Sequence, residues 1–134
     1  MSYLETKHAD KFYIVFRIGV GLMFFMYGIQ KLLGLWGRQS LATYPDIFWF
    51  AGVSEVLIGT ALTLGVFVRF AALFGIAEMI VAFIKGHVVS KGTLIPAANN
   101  GQAAALFLLA FIVILAYGAK KLSLETKLFG KEHF

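Results

Sequence analysis

The chain contains no cysteine. Disulfides, thiol relays, cysteine-ligated zinc and iron–sulfur clusters are therefore excluded within it. Histidine is scarce: His8 and His133 lie in the tails, and His87 lies at the outer end of an apolar run. No span holds a pair of histidines, so a haem or metal site built by this chain alone is not expected. There is no P-loop, no G-x-G-x-x-G and no Ser/His/Asp arrangement in readable context. Charged residues make up only 14% of 134 residues, with 12 Lys+Arg against 7 Asp+Glu and a net charge of +5. The positive residues stand singly or in small groups between apolar runs, with no basic stripe interleaved with aromatics. That pattern is topogenic charge beside membrane spans and not a nucleic-acid footprint. No linker, low-complexity segment or soluble domain interrupts the chain, and a single transmembrane domain is expected over 1–134.

What the chain does have is apolar surface. Sixty per cent of its residues are hydrophobic (60%), against about 45–50% in soluble domains, and its mean hydropathy is +0.82. Crossing the hydrocarbon core takes about 20 mostly apolar residues. Four runs meet or approach this, over 12–33, 47–67, 70–86 and 102–118, the last two with help from flanking small and polar residues. The first is read as a retained span, because it is longer than a signal-peptide core, carries Arg17 and lacks an A-x-A site. The expected fold is all-α: an integral membrane four-helix bundle, antiparallel and up-and-down. Outer loops fall at 34–46 and 87–101, and a tail at 119–134. The second and third spans are joined by only "GVFVRF", which forces a hairpin. Lys7, Lys11, Arg17, Arg69, Lys120, Lys121, Lys127 and Lys131 fall on one side, and Lys31, Arg38, Lys85 and Lys91 on the other. By the positive-inside rule both termini are cytoplasmic, in the plasma membrane. Trp36, Tyr44 and Trp49 sit where an outer aromatic belt belongs, and Tyr13 and Tyr117 where an inner one does.

Polar residues inside these spans carry the functional signal. Arg17, Gly21, Phe24, Gly28 and Lys31 are spaced 4, 3, 4 and 3, which places them on one face of a helix, with Gln30 beside Lys31. Gly52, Glu55 and Gly59 form a second stripe, and Ala71, Gly75, Glu78, Ala82 and Lys85 a third. Small residues on a stripe let helices approach closely in lipid. A charge facing lipid at mid-bilayer costs at least about 2.5–3.5 kcal/mol, so Arg17, Glu55 and Glu78 should face inward. Two ionised carboxylates in one dry core repel, so a cation compensates them or one is protonated; Arg17 is the expected counter-charge. Glu55 and Glu78 are the candidate catalytic carboxylates. Arg17, Gln30, Lys31, Asn100 and Gln102 are the candidate ligand-binding residues, and no metal ligands are expected. Asn99-Asn100-Gly101 also reads as an outer turn and helix cap, with Gln102 pointing into the bundle or the loop. A purely structural reading stands beside the functional one, since a buried ionic network can serve only to fix helix register.

The order and spacing of these residues resemble the DoxX family. "RIGVGLMFFMYGIQKLLG" is similar to the family's opening helix through Arg17, Gly21, Gly28 and Lys31. "EVLIGTALTLGVFVRFAAL" is similar to its E-x-x-x-G…L-x-x-G-x-x-x-R segment through Glu55, Gly59, Gly65 and Arg69. Glu78, the Asn100-Gly101-Gln102 turn and "KKLSLE" also fit, although Glu125 stands where the family often has aspartate. The resemblance spans roughly residues 12–125 and implies a small four-helix membrane protein. Named members resemble the quinone-reducing membrane subunit of thiosulfate dehydrogenase, and others are associated with membrane oxidoreductase complexes.

Three readings follow. The first is a membrane subunit of a quinone-linked oxidoreductase system, with a quinone or similar small ligand in an Arg/Glu pocket and a redox-complex partner supplying electrons. The second is a small proton or solute transporter or channel, homo-oligomeric, for which the near-repeat of "GVSEVLIG" and "GIAEMIVA" is suggestive. The third is a non-catalytic scaffold for a redox complex. All three place the chain in the lipid bilayer.

Overall fold

A computed structural model describes residues 8–37 and 44–132; Lys7, Arg38 and His133 lie outside the described residues, as does part of the loop expected at 34–46. The described residues are helical or irregular, with no strand. Helix α1 (Ala9–Leu33) has Asp10 in its first turn and Lys31 in its last, both favourable to the helix dipole. It ends at Gly34, whose φ of 66° lets its N–H close back on Gln30 O at 2.9 Å. Helix α2 (Ile47–Leu64) is capped by Asp46, which accepts a hydrogen bond from the Trp49 N–H at 2.8 Å, and ends at Gly65. Helix α3 runs Val68–Lys91. Short α4 (Pro96–Asn99), α5 (Gln102–Tyr117) and short α6 (Leu124–Phe129) follow.

Three of these helices, α1, α2 and α3, are long and apolar enough to cross a membrane. Helix α5 is equally apolar but has 16 residues, about 24 Å at 1.5 Å per residue. Large apolar side chains cover the outward faces: Val15, Leu57, Phe74 and Leu106 are all more than 60% exposed. In water such a surface would aggregate; against lipid tails it is the expected exterior.

The inward faces are narrow. In α1 the buried residues are Ile14, Arg17, Gly21, Phe24 and Gly28, a single stripe. Helix α1 packs on α2, and α3 on α5. The first contact depends on glycine. A Cβ on Gly28 would lie 2.6 Å from Gly52 O, and one on Gly59 would lie 2.5 Å from Phe25 N. Gly75 does the same for the second contact, where a Cβ would meet the Phe111 ring at 2.6 Å. Phe24, Leu62, Ala72, Phe111 and Ile114 join the two pairs in one apolar core.

Helix α3 changes its winding. It is α-helical over Val68–Val81, π-helical over Ala82–Val88 and α-helical again over Val89–Lys91. Residues 87–91, expected in the outer loop, are thus helical. Beyond them Asn99 is buried: its side chain donates to Thr93 O at 3.0 Å and accepts the Gly101 N–H at 2.8 Å.

The far end of the helix pairs is closed by the segment 118–132. Tyr13 donates to Gly118 O at 2.6 Å, and Ser123 Oγ donates to Gly65 O at 2.6 Å. Glu125 accepts the Phe67 N–H at 3.1 Å, and Glu132 accepts the Ala119 N–H at 2.7 Å. Arg17 is fully buried and donates to Ala119 O, and to Leu122 O at 2.8 Å. Hydrogen bonds from a charged donor contribute about 1.5–3 kcal/mol each. Arg17→Met is therefore expected to lower stability by about 3 kcal/mol and to speed tryptic cleavage after Lys120 and Lys121 at least tenfold. Cleavage at the wild-type rate would show that Arg17 does not hold this segment.

Candidate functional site

A cavity of about 190 Å³ lies between α1, α2, α3 and α5. Its polar wall is Gln30, Lys31, Glu55 and His87, and its apolar wall includes Phe24, Tyr27, Met79, Ala104 and Phe107. The rings are ordered against one another. Phe24 meets Phe107 at 5.1 Å and Phe111 at 4.8 Å, and Tyr27 meets Phe107 edge-on at 5.6 Å. A cavity of roughly 150 Å³ lined by apolar side chains accepts benzene, so this one is large enough for a single substituted ring.

Lys31 Nζ donates to Glu55 Oε1 at 2.6 Å. The carboxylate side chain is 4% exposed and the lysine 19%. Glu55 Oε2 is buried and has no hydrogen-bond partner. A buried carboxyl oxygen left unpaired is costly, and this one belongs to a residue of the cavity wall. Glu78 lies behind it. It accepts a hydrogen bond from Ser54 Oγ at 2.6 Å, its Oε1 is likewise buried and unpartnered, and it is within electrostatic reach of Glu55 and Lys31.

Arg17 does not join this cluster, which corrects the expectation that it is the glutamates' counter-charge. Its guanidinium lies beside Gly65, where a Cβ would come within 3.3 Å of Nη1. Gly65 is ten residues beyond Glu55, about 15 Å along a helix axis. The carbonyls of Ala119 and Leu122 hold the guanidinium there, and Lys31 supplies the cation instead. Asn100 and Gln102 are both exposed and neither lines the cavity. Asn100 takes φ 60° as the C-cap of α4, and Gln102 opens α5. Of the candidate residues, Gln30, Lys31 and Glu55 meet at one cavity, with Glu78 adjoining.

His87 is a wall residue for which the sequence pattern indicates no place in the site. In an α-helix residues five apart point about 140° away from each other. In a π-helix the hydrogen bonds run i to i+5, and the wider turn brings residues five apart back toward one face. Ala82 and His87 are five apart, the π-helical stretch spans both, and both line the cavity. Lys85, placed on the inner face by a 3.6 period, is exposed. The His87 Nδ1 sits 3.1 Å from Asn99 O. A carbonyl only accepts, so Nδ1 carries the proton, and in the neutral ring Nε2 is then the acceptor.

These features define a multi-pass membrane protein in which Gln30, Lys31, Glu55 and His87 meet at one largely apolar cavity between the helices. The chain belongs to the DoxX family, whose model matches residues 12–88. It is 35% identical over 136 residues to an uncharacterized protein of Haemophilus influenzae, covering 98% of this chain and 100% of that one. No solved structure matches it significantly.

Proposed function

We propose that this DoxX-family protein is the membrane subunit of a quinone-linked oxidoreductase system, and that the Lys31–Glu55 cavity receives a quinone headgroup or a similar small ring. The observation that carries this reading is the unpartnered Glu55 Oε2 beside an ion pair, on the wall of an aromatic-lined cavity. Ionisable groups within membrane spans are functional candidates by default, and a hydrophobic cavity with few convergent polar groups suits a small ring.

When bound, a quinone supplies a two-electron acceptor, and in this reading the electrons come from a redox partner. The chain's own residues bind and move protons. Lys31 Nζ and the Gln30 side-chain amide are donors for a carbonyl oxygen. Glu55 is the proton carrier at the cavity wall, and Glu78 with Ser54 is the neighbouring site from which it is recharged. His87 offers Nε2 as a further proton acceptor. The spans are arranged antiparallel and up-and-down, with both termini on the cytoplasmic face of the plasma membrane. The residue pairs Gly21 with Gly59 and Gly28 with Gly52, together with the lysine distribution, support that orientation.

Purified protein in detergent should gain several degrees of thermal stability with a short-chain ubiquinone, as any ligand binding only the folded state confers. Glu55→Gln should retain its fold and lose most of that gain. A wild-type protein whose melting point ignores the quinone would overturn the reading. Proton-driven flux through Glu78 in liposomes, abolished by Glu78→Gln and insensitive to quinone, would point to the transporter reading instead.

A further inference from the structure

A second concavity of about 700 Å³ lies at the opposite end of the helix pairs, against the segment 118–132. Its rim carries Lys120, Lys121 and Lys127, and its floor includes Ile18 of α1, Leu64 of α2 and Leu122. We propose that this groove is a binding site for an anionic phospholipid, with the phosphate held by the three lysines and the upper acyl chain lying on Ile18, Leu64 and Leu122.

Three observations carry the assignment. The first is the sorting of charge. The segment 118–132 has four lysines and two glutamates. Both glutamates are turned inward: Glu125 is fully buried on the Phe67 N–H, and Glu132 accepts the Ala119 N–H. The outward face is left positive; among the described residues Lys120 Nζ lies 3.8 Å from an oxygen of the half-exposed Asp10 carboxylate.

The second is placement. Leu64 is the last residue of a membrane-length helix, and Ile18 lies nearly three turns into another. The groove therefore begins at hydrocarbon depth and ends in lysines, as a lipid does in reverse. Leu122 is 71% exposed, which leaves its apolar side chain open to contact along the groove. The third is backbone conformation. Lys120 and Leu122 both have left-handed φ, 54° and 56°. Such residues persist only where their surroundings over-determine them. Here the surroundings are Arg17 on the Ala119 and Leu122 carbonyls and Ser123 on Gly65 O. The segment is held in the form that displays its lysines beside the apolar floor.

The test is lipid retention by the full chain. Detergent-purified protein is incubated with dioleoyl phosphatidylglycerol or dioleoyl phosphatidylcholine, and bound lipid is counted by native mass spectrometry. Wild type should retain phosphatidylglycerol in preference to phosphatidylcholine. The triple variant Lys120→Gln/Lys121→Gln/Lys127→Gln should bind it far less, by roughly fivefold per lysine removed. Since all three side chains are exposed, the variant should keep the wild-type melting point in phosphatidylcholine. The double variant Lys85→Gln/Lys91→Gln should bind like wild type. Equal retention of the two lipids, an unchanged triple variant, or loss of the preference in millimolar inorganic phosphate would each overturn the proposal. The last of these would mark a site for free phosphate.

Discussion

Lys31→Met should lower stability by about 3–5 kcal/mol, the usual result of removing one partner of a buried ion pair. The asymmetry of the pair makes the prediction sharp. Glu55 is almost completely enclosed, whereas Lys31, near the end of α1, is about one-fifth exposed. Without Lys31, the carboxylate has neither its counter-ion nor water. Without Glu55, the lysine stem can carry its ammonium outward. Glu55→Gln should therefore cost less than Lys31→Met, and the double variant should recover most of the loss. Unfolding midpoints in mixed SDS and non-ionic micelles, read as a double-mutant cycle, measure the coupling. Additive effects within about 0.5 kcal/mol would mean that the pair is not formed.

The second large effect is steric. Gly59→Val should destabilise the protein by at least about 3 kcal/mol, the upper end of ordinary overpacking, and reduce the yield of folded protein. A side chain there has no flexible neighbour to push aside. Its Cβ would lie 2.5 Å from Phe25 N and 2.6 Å from Gly21 O, both backbone atoms. Helices α1 and α2 would have to separate, and the Lys31–Glu55 contact between them would open. Gly19→Ala is the control. Nothing lies within 4 Å of a Cβ there, and replacing a mid-helix glycine stabilises by about 0.5–1 kcal/mol. Equal losses at the two positions would refute a close α1–α2 contact.

The same glycines explain what could be read in the sequence. The stripe Arg17, Gly21, Phe24, Gly28, Lys31 is legible because a helix face repeats every 3.6 residues, and the first four of these five positions are buried in α1. The fifth, Lys31, lines the cavity. Which cation meets Glu55 is a different kind of question. It depends on how far α1 is slid along α2, a non-local quantity set by backbone contacts at Gly28 and Gly59. It depends also on the carbonyls of Ala119 and Leu122, about a hundred residues away in sequence, which capture Arg17. His87 escapes the pattern for a local reason. A 3.6 period carried past Val81 selects Lys85, and the π-helical stretch replaces it with His87. Asn99 and Asn100 are adjacent and chemically identical; one is buried and the other exposed because only Asn100 takes the left-handed turn.

Photolabelling with an azido-quinone shows whether a quinone ring enters the Lys31–Glu55 cavity. The purified protein is irradiated with the probe, with and without excess unlabelled quinone, and adducts are mapped by peptide mass spectrometry. Competable adducts are expected on Tyr27, Met79 and Phe107, the cavity wall around Lys31 and Glu55. They should be lost in Glu55→Gln. Labelling confined to outward residues such as Val15, Leu57 and Phe74, unaffected by competitor, would contradict it.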